Sequence, residues 1–284
     1  MKFIEVKSGP LRLVHGEAVS FELAETWLVE LGGQLEPQDG SPPPPHQMDA
    51  PRGPLFVKHG GRNAARRFVR SLTRSPSRSL AAFRLGSVLH AYGVPTPRPL
   101  AAIERRRGPA GSLVTADLLL TEWMSSPDLA QALPIATDPD RENLLAAAAH
   151  SIALLHMAGC RHRDLKASNL LRSQDGATVL IADLDGARAC RGGPSHRQRL
   201  RDLARFMTSL AVIEGCTAED GNPRPETASI DGGEESRRQF LRHYFACCPD
   251  LVGNDDLRQR WQVRATAWMR SKVSRNLRRE RPLS

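Results

Sequence analysis

Within His162-Arg163-Asp164-Leu165-Lys166-Ala167-Ser168-Asn169, a carboxylate and an amide stand five residues apart, and a second carboxylate, Asp183, follows nineteen residues after Asp164. These residue types at this spacing suit phosphoryl transfer from ATP. Asp164 would orient an acceptor hydroxyl and accept its proton. Asn169 and Asp183 would hold the Mg2+ ions that bridge the ATP phosphates, and Lys166 would set a cation near the phosphoryl group in transit. His162 and Arg163 are expected to brace the loop rather than react. Asp-Leu-Lys or Asn-Leu-Leu alone is unremarkable; the whole string followed by a strand-terminal acid is rare by chance.

Such a loop needs an element on each side. Before it, Leu144–Gly159 is the most apolar stretch of the chain. At 16 residues it falls short of the roughly 20 that a membrane span needs, so it is expected to be a core helix closed by Gly159. After it, Thr178–Ala182 reads as a strand entered from a turn at Asp175-Gly176. Upstream, Leu55–Lys58 reads as a strand ending in a basic residue. Ser79–Tyr92 has helical spacing stopped by Gly93 and Pro95, and Leu118–Thr121 is a short buried strand. The first third looks irregular: Phe3–Val6 and Leu11–Val14 are strand candidates, Phe21–Leu31 is partly helical, and the proline-rich segment 38–54 is a loop. Downstream, Leu203–Val212 and Leu257–Leu277 look helical, the latter with Trp261, Ala265 and Trp268 as its apolar stripe.

The chain has 284 residues, 40% apolar and 25% charged, enough for a two-lobed enzyme and inconsistent with wholesale disorder. Five cysteines without a C-x-x-C pair speak against a disulfide framework or zinc site and for a reducing compartment. Glu5 stands where a signal peptide would be apolar, so a cytoplasmic protein is expected. The net charge of +9 is uneven. Residues 59–103 hold eight arginines and no acid, and Arg258–Arg281 hold nine Lys+Arg and one Glu, which leaves −7 on the rest. Such stretches meet phosphates, nucleic acid or an anionic membrane, or simply decorate exposed helix faces. Aromatic residues do not interleave with the basic ones in the manner of a recognition module, so nucleic acid is not the expected partner.

In chain order the pieces resemble the protein-kinase-like superfamily, and more narrowly the bacterial lipopolysaccharide kinase family (Kdo/WaaP-type, with InaA-like members). The resemblance rests on Gly93-Val-Pro-Thr-Pro-Arg-Pro-Leu100, Thr121-Glu-Trp-Met124, His162–Leu171, Ile181-Ala-Asp-Leu-Asp-Gly-Ala-Arg188 and Arg201-Asp-Leu-Ala-Arg205, within residues 55 to 205. It implies an α+β, two-lobed protein-kinase-like fold. A small β-rich N-lobe would span 1–121, a hinge 122–124, and a larger, mainly helical C-lobe 125–284. Lys58 would grip the ATP phosphates, and Glu122 and Met124 would be the backbone positions that pair with adenine. ATP and Mg2+ are the implied cofactors. The implied acceptor is a sugar hydroxyl of lipopolysaccharide core, heptose or Kdo, or a related glycan. The basic stretches would sit against the cytoplasmic face of the inner membrane, where an anionic surface attracts Lys and Arg at about 1 kcal/mol each.

Three departures bear on activity. No G-x-G-x-x-G precedes Lys58; no acid lies between residues 59 and 103, and Ala82 stands about where a carboxylate pairing with Lys58 is expected; Asp183-Leu184-Asp185 replaces D-F-G, with Asp185 read as a turn residue before Gly186. They keep open a nucleotide-binding pseudokinase regulator. Fewer than twenty residues and no A-P-E separate Asp183 from the Arg201-Asp202-Leu203 helix, so the platform on which protein kinases hold a peptide is missing and a glycan acceptor is favoured. Lys166, a protein Ser/Thr kinase spelling, points the other way and keeps a protein kinase as the alternative.

Overall fold

The computed structural model describes residues 2–35, 44–50, 53–60, 76–108, 111–215 and 233–280. Residues 38–43, 51 and 52 of the proline-rich segment, five of the eight arginines of the first basic stretch (62, 66, 67, 70 and 74), and Cys216 lie outside the described residues; the segment is not all loop as expected, because His46–Met48 within it pair with Leu55–Val57 as a strand. So do the side chains of the tail beyond Ser271. The chain is mixed α/β and divides into two compact units, Met1–Tyr92 with Thr96–Met124 and Gly93–Pro95 with Ser125–Ser284.

Among the described residues the first unit is a six-stranded antiparallel sheet with two helices. Its strands are β1 (Phe3–Ser8), β2 (Leu11–Gly16), β3 (His46–Met48), β4 (Leu55–His59), β5 (Pro99–Arg107) and β6 (Leu113–Glu122), in the order β1-β2-β5-β6-β4-β3. Helix α1 (Phe21–Gln34) starts at Ser20, whose hydroxyl accepts the Leu23 amide, and buries Trp27, Leu28 and Leu31 against Leu13, Val57, Ile103, Leu118 and Leu120. Helix α2 (Arg78–Ala91) buries Leu80, Ala82 and Phe83 with Val14, Ala102 and Leu119. Neighbouring strand residues point to opposite faces. Leu118-Leu119-Leu120 is therefore an unbroken apolar run because β6 is covered on both sides.

The first 34 residues are thus a regular β-β-α unit rather than irregular chain, and Leu118–Thr121 is the end of a ten-residue strand. β5, of which only residues 99–103 fall in the first basic stretch, is a strand that the sequence reading did not expect. Ala82 is buried in the α2–sheet interface. The acids that reach α2 come from the sheet instead. Asp117, 4% exposed, accepts the Ser79 amide at 3.0 Å, and fully buried Glu104 accepts the Ser77 amide at 3.3 Å and Arg106 Nε at 3.0 Å. Both carboxylates sit at the helix N-terminus, where free amides and the macrodipole favour negative charge. Gly60 is required beside them: its amide bonds the Asp117 carbonyl at 2.7 Å, and a Cβ there would collide with the Asp117 carboxylate.

The second unit is mainly helical. Its helices are α3 (Leu129–Ala132), α4 (Asp138–Met157), α5 (His196–Gly215), α6 (Glu234–Ala246) and α7 (Asp255–Glu280). The short strands β7 (Cys160–Arg161), β8 (Leu170–Arg172), β9 (Val179–Ile181) and β10 (Arg188–Ala189) form two antiparallel pairs, β7 with β10 and β8 with β9. Helix α4 is the expected core helix, with Leu144, Leu145, Ala148, Ala149, Ile152 and Leu155 buried. It stops as expected, at Gly159 with φ +79°. Among the described residues no helix is long and apolar enough to cross a membrane. The stripe of α7 runs through Trp261, Ala265 and Met269, all buried. That is strict four-residue spacing, and Trp268 instead lies half-buried beneath the Arg201 guanidinium at 5.6 Å.

Candidate active site

Between β7 and β9 the chain alternates between anchors and exposed groups. His162, Leu165, Ala167, Asn169 and Leu170 are buried, whereas Arg163, Asp164, Lys166 and Ser168 are exposed. The buried residues pin the loop and leave the Asp164 and Lys166 side chains in solvent, with Lys166 Nζ 3.7 Å from Asp164 Oδ2. Asn169 Nδ2 donates to the Asp164 carbonyl at 2.8 Å, and the Ala182 amide donates to the Asn169 carbonyl at 2.9 Å. His162 ties the same parts together. Its Nδ1 accepts the Asp164 amide at 3.3 Å, so Nε2 carries the hydrogen given to the Ala182 carbonyl at 2.8 Å. Loop and strand end are thus joined twice, which brings Asp164, Lys166, Asn169 and Asp183 into one constellation of the helical unit. The His162 ring braces the loop as expected; of Arg163 only the backbone amide takes part, and its side chain is exposed.

Asp183 (φ 56°) and Arg163 (φ 72°) are the two non-glycine residues with positive φ among the described residues, and both fall here. Such backbone persists when its surroundings over-determine it. At Arg163 the restraint is Asp202 of α5, 1% exposed, whose two oxygens accept the His162 amide at 2.8 Å and the Arg163 amide at 3.1 Å. Arg205 adds an ion pair at 3.3 Å. Burial pushes the Asp202 carboxyl up; the His156 ring, the His162 amide and Arg205 outweigh that and hold it below the usual carboxylate range. The His156 contact, 3.7 Å, exceeds hydrogen-bond length, so the amides and Arg205 carry most of this.

Behind Asp202 stands a buried polar chain that the motif reading missed. Arg199 Nε donates to the Tyr244 hydroxyl at 2.9 Å, and its Nη1 lies 2.7 Å from Asp250. The phenol then donates to His156 Nδ1 at 2.8 Å, which leaves the His156 Nε2 hydrogen facing Asp202. Burial lowers the His156 pKa, against the pull of Asp202. The unfolded chain therefore binds the extra proton first, so this contribution to stability is full above about pH 6.5 and declines as pH falls below it. Wild type is expected to lose thermal stability between pH 7 and 5 more steeply than His156→Gln. His59, also lowered by burial, titrates in both proteins, so equal slopes would rule His156 out.

Asn169 and Asp183 fit a hard cation. Asn169 spends its NH2 on Asp164, and its Oδ1 makes no hydrogen bond among the described residues; the Asp183 carboxylate is exposed. Among the described residues no three His, Cys, Asp or Glu side chains are grouped to hold a metal alone. Mg2+ in phosphoryl-transfer sites takes one or two carboxylates and completes its shell with water and phosphate oxygens, so two protein ligands suit it.

The other expected site residues lie in the sheet unit. Lys58 is half-buried on β4, opposite Leu119 of β6. Glu122 ends β6; its carboxylate accepts the Arg98 amide at 2.7 Å and its own amide donates to the Arg98 carbonyl at 3.0 Å. The Trp123 amide bonds Pro54 at 3.1 Å, while Met124 makes no backbone hydrogen bond among the described residues.

Residues 58–230 match the lipopolysaccharide kinase (Kdo/WaaP) family. The chain is 33% identical over 173 residues to a 3-deoxy-D-manno-octulosonic acid kinase of Stenotrophomonas maltophilia (strain R551-3), covering 59% of this chain and 66% of that protein. It is 36% identical over 139 residues to one of Xanthomonas axonopodis pv. citri (strain 306) and 33% over 139 residues to one of Xylella fastidiosa (strain 9a5c), each covering 49% of this chain and 52% of the relative. The chain thus spans between about half and two thirds of the length of these relatives. The match takes in Lys58, the 162–169 loop, Asp183 and Asp202, and the chain belongs to the lipopolysaccharide kinase (Kdo/WaaP) family.

Proposed function

We propose that the protein is an ATP-dependent kinase of a sugar hydroxyl in lipopolysaccharide, with Kdo as the acceptor, on a two-lobed protein-kinase-like fold with the hinge at 122–124. The observation that carries this reading is the loop geometry: an exposed Asp164 carboxylate on a backbone held by Asn169, His162 and Asp202. The names of the relatives support the acceptor, and the short segment after Asp183 leaves little room for a peptide. Asp164 accepts the proton of the sugar hydroxyl as that oxygen forms a bond to the γ-phosphorus; the bond to the β-phosphate oxygen breaks, and ADP leaves with that electron pair. Lys166 steadies charge on the moving phosphoryl group. Asn169 and Asp183 would hold Mg2+, which would supply positive charge to offset that of the phosphates. Lys58 binds the phosphates, and the Glu122 carbonyl and Met124 amide pair with adenine. The basic stretches hold the enzyme peripherally at the cytoplasmic face of the inner membrane.

Purified protein given γ-labelled ATP, Mg2+ and a Kdo-bearing lipid A precursor is expected to label the glycolipid. Label confined to protein would establish the protein kinase alternative. Nucleotide binding without transfer to either would establish the pseudokinase one.

A further inference from the structure

Beside Asp164 the helical unit gathers four arginines. Arg161 and Arg188 are directly opposed across the β7–β10 pair. Residues so paired share a face, where like charges repel. Arg163 follows two residues later; its amide and Arg205 Nη1 meet at the same Asp202 oxygen, at 3.1 and 3.3 Å. Arg163 and Arg188 are exposed, and Arg161 and Arg205 half-buried. Among the described residues Arg161, Arg163 and Arg188 make no ion pair, and Arg161 Nε is buried without a hydrogen-bond partner. Desolvation and the charges of Arg188, Arg161 and Arg205 push the Arg163 guanidinium below its ordinary value, against the pull of Asp202. That carboxylate is already spent on two amides and Arg205. The adjoining segment, residues 186–201, has five arginines and no acid.

Uncompensated like charges held together disfavour folding unless something else requires them. Guanidinium forks match the two oxygens of a carboxylate or phosphate. The position is informative: Arg163 is bonded to Asp164, which faces the acceptor hydroxyl, and Arg188 opens the segment that kinases use to hold the acceptor. We propose that Arg161, Arg163 and Arg188, beside the Asp202-paired Arg205, form a subsite for an acid group, carboxylate or phosphate, on the acceptor, and that this subsite selects acidic over neutral sugars. The inference rests on the sugar-kinase reading above. Nothing is bonded covalently at the subsite; it fixes which hydroxyl reaches Asp164.

The test compares the full-length wild type with Arg161→Gln/Arg188→Gln, using the Kdo-bearing acceptor and the same acceptor with its carboxyl reduced to an alcohol. Wild type is expected to show a KM at least tenfold lower for the acid form, and the double variant to bring the two within threefold. Wild type that does not discriminate, or a variant that still does, overturns the proposal. Loss of binding to phosphatidylglycerol vesicles with discrimination intact overturns it too, because the arginines would then serve the membrane. If neither acceptor is phosphorylated, the sugar-kinase reading fails, and calorimetry with inorganic phosphate decides the subsite. Saturable binding at least tenfold weaker in the variant supports it, and equal binding overturns it. Should the double variant not fold, Arg163→Gln, altered at an exposed side chain, takes its place in each measurement.

Discussion

Asp164→Asn is expected to lower kcat for phosphoryl transfer by about 10²–10⁴-fold, the range that a positioned general base contributes. It should barely touch the fold. The side chain is exposed, and among the described residues its one ion pair is the open contact to Lys166 at 3.7 Å. Surface changes of this kind stay within about 0.5 kcal/mol, so the unfolding midpoint and nucleotide affinity serve as controls. The backbone groups that shape the loop, the Asp164 amide and carbonyl, are untouched by the exchange. A turnover within tenfold of wild type would remove Asp164 from the role of base.

Asp202→Ala is expected to do the reverse, damaging the fold first and activity through it. The substitution strands the amides of His162 and Arg163 and leaves Arg205 and the His156 ring facing an apolar hole. A buried donor without a partner costs about 1–3 kcal/mol, and removing one member of a buried charged set about 3–5 kcal/mol. A loss near 3–5 kcal/mol, read by denaturant unfolding, follows. Asp202→Asn keeps one carbonyl oxygen for one of the two amides and should recover part of it. The sign with pH is fixed by the lowered carboxyl: this stabilisation is present above about pH 4 and disappears as pH falls further. If Asp202→Ala were as stable as wild type, the amides would have found other acceptors and the loop would not depend on α5.

The chemistry-bearing loop was legible because its constraints are local. Asp164, Asn169 and Asp183 answer to one small volume, so their spacing along the chain is restricted, and Gly159 marks where the preceding helix must stop. The anchors were not legible because they come from far away in sequence. Asp202 reaches back 40 residues to His162, and Tyr244 reaches 88 to His156; nothing in the local pattern separates these from ordinary helix residues. The same blindness applied to α2. An acid was sought on the helix beside Ala82, whereas Glu104 and Asp117 serve its N-terminus from the sheet. β5 was missed as well: Ala101–Glu104 are buried in a row, so the strand carries no period-two alternation of apolar and polar residues. On α7, type misled where spacing would have served: Met269, not the larger Trp268, falls on the buried line.

The two-sided burial of the sheet bears on where this protein can be divided. The family match begins at residue 58, inside β4. Trp27, Leu28 and Leu31 cover one face of the strands that follow, and β2 pairs along the edge of β5. A chain begun at the family boundary would leave Ile103, Leu118 and Leu120 facing water and β5 with an open edge, the combination that invites aggregation. The stretch matched by the family is therefore shorter than the unit that folds, and the first 34 residues supply one wall of the sheet unit to which they belong.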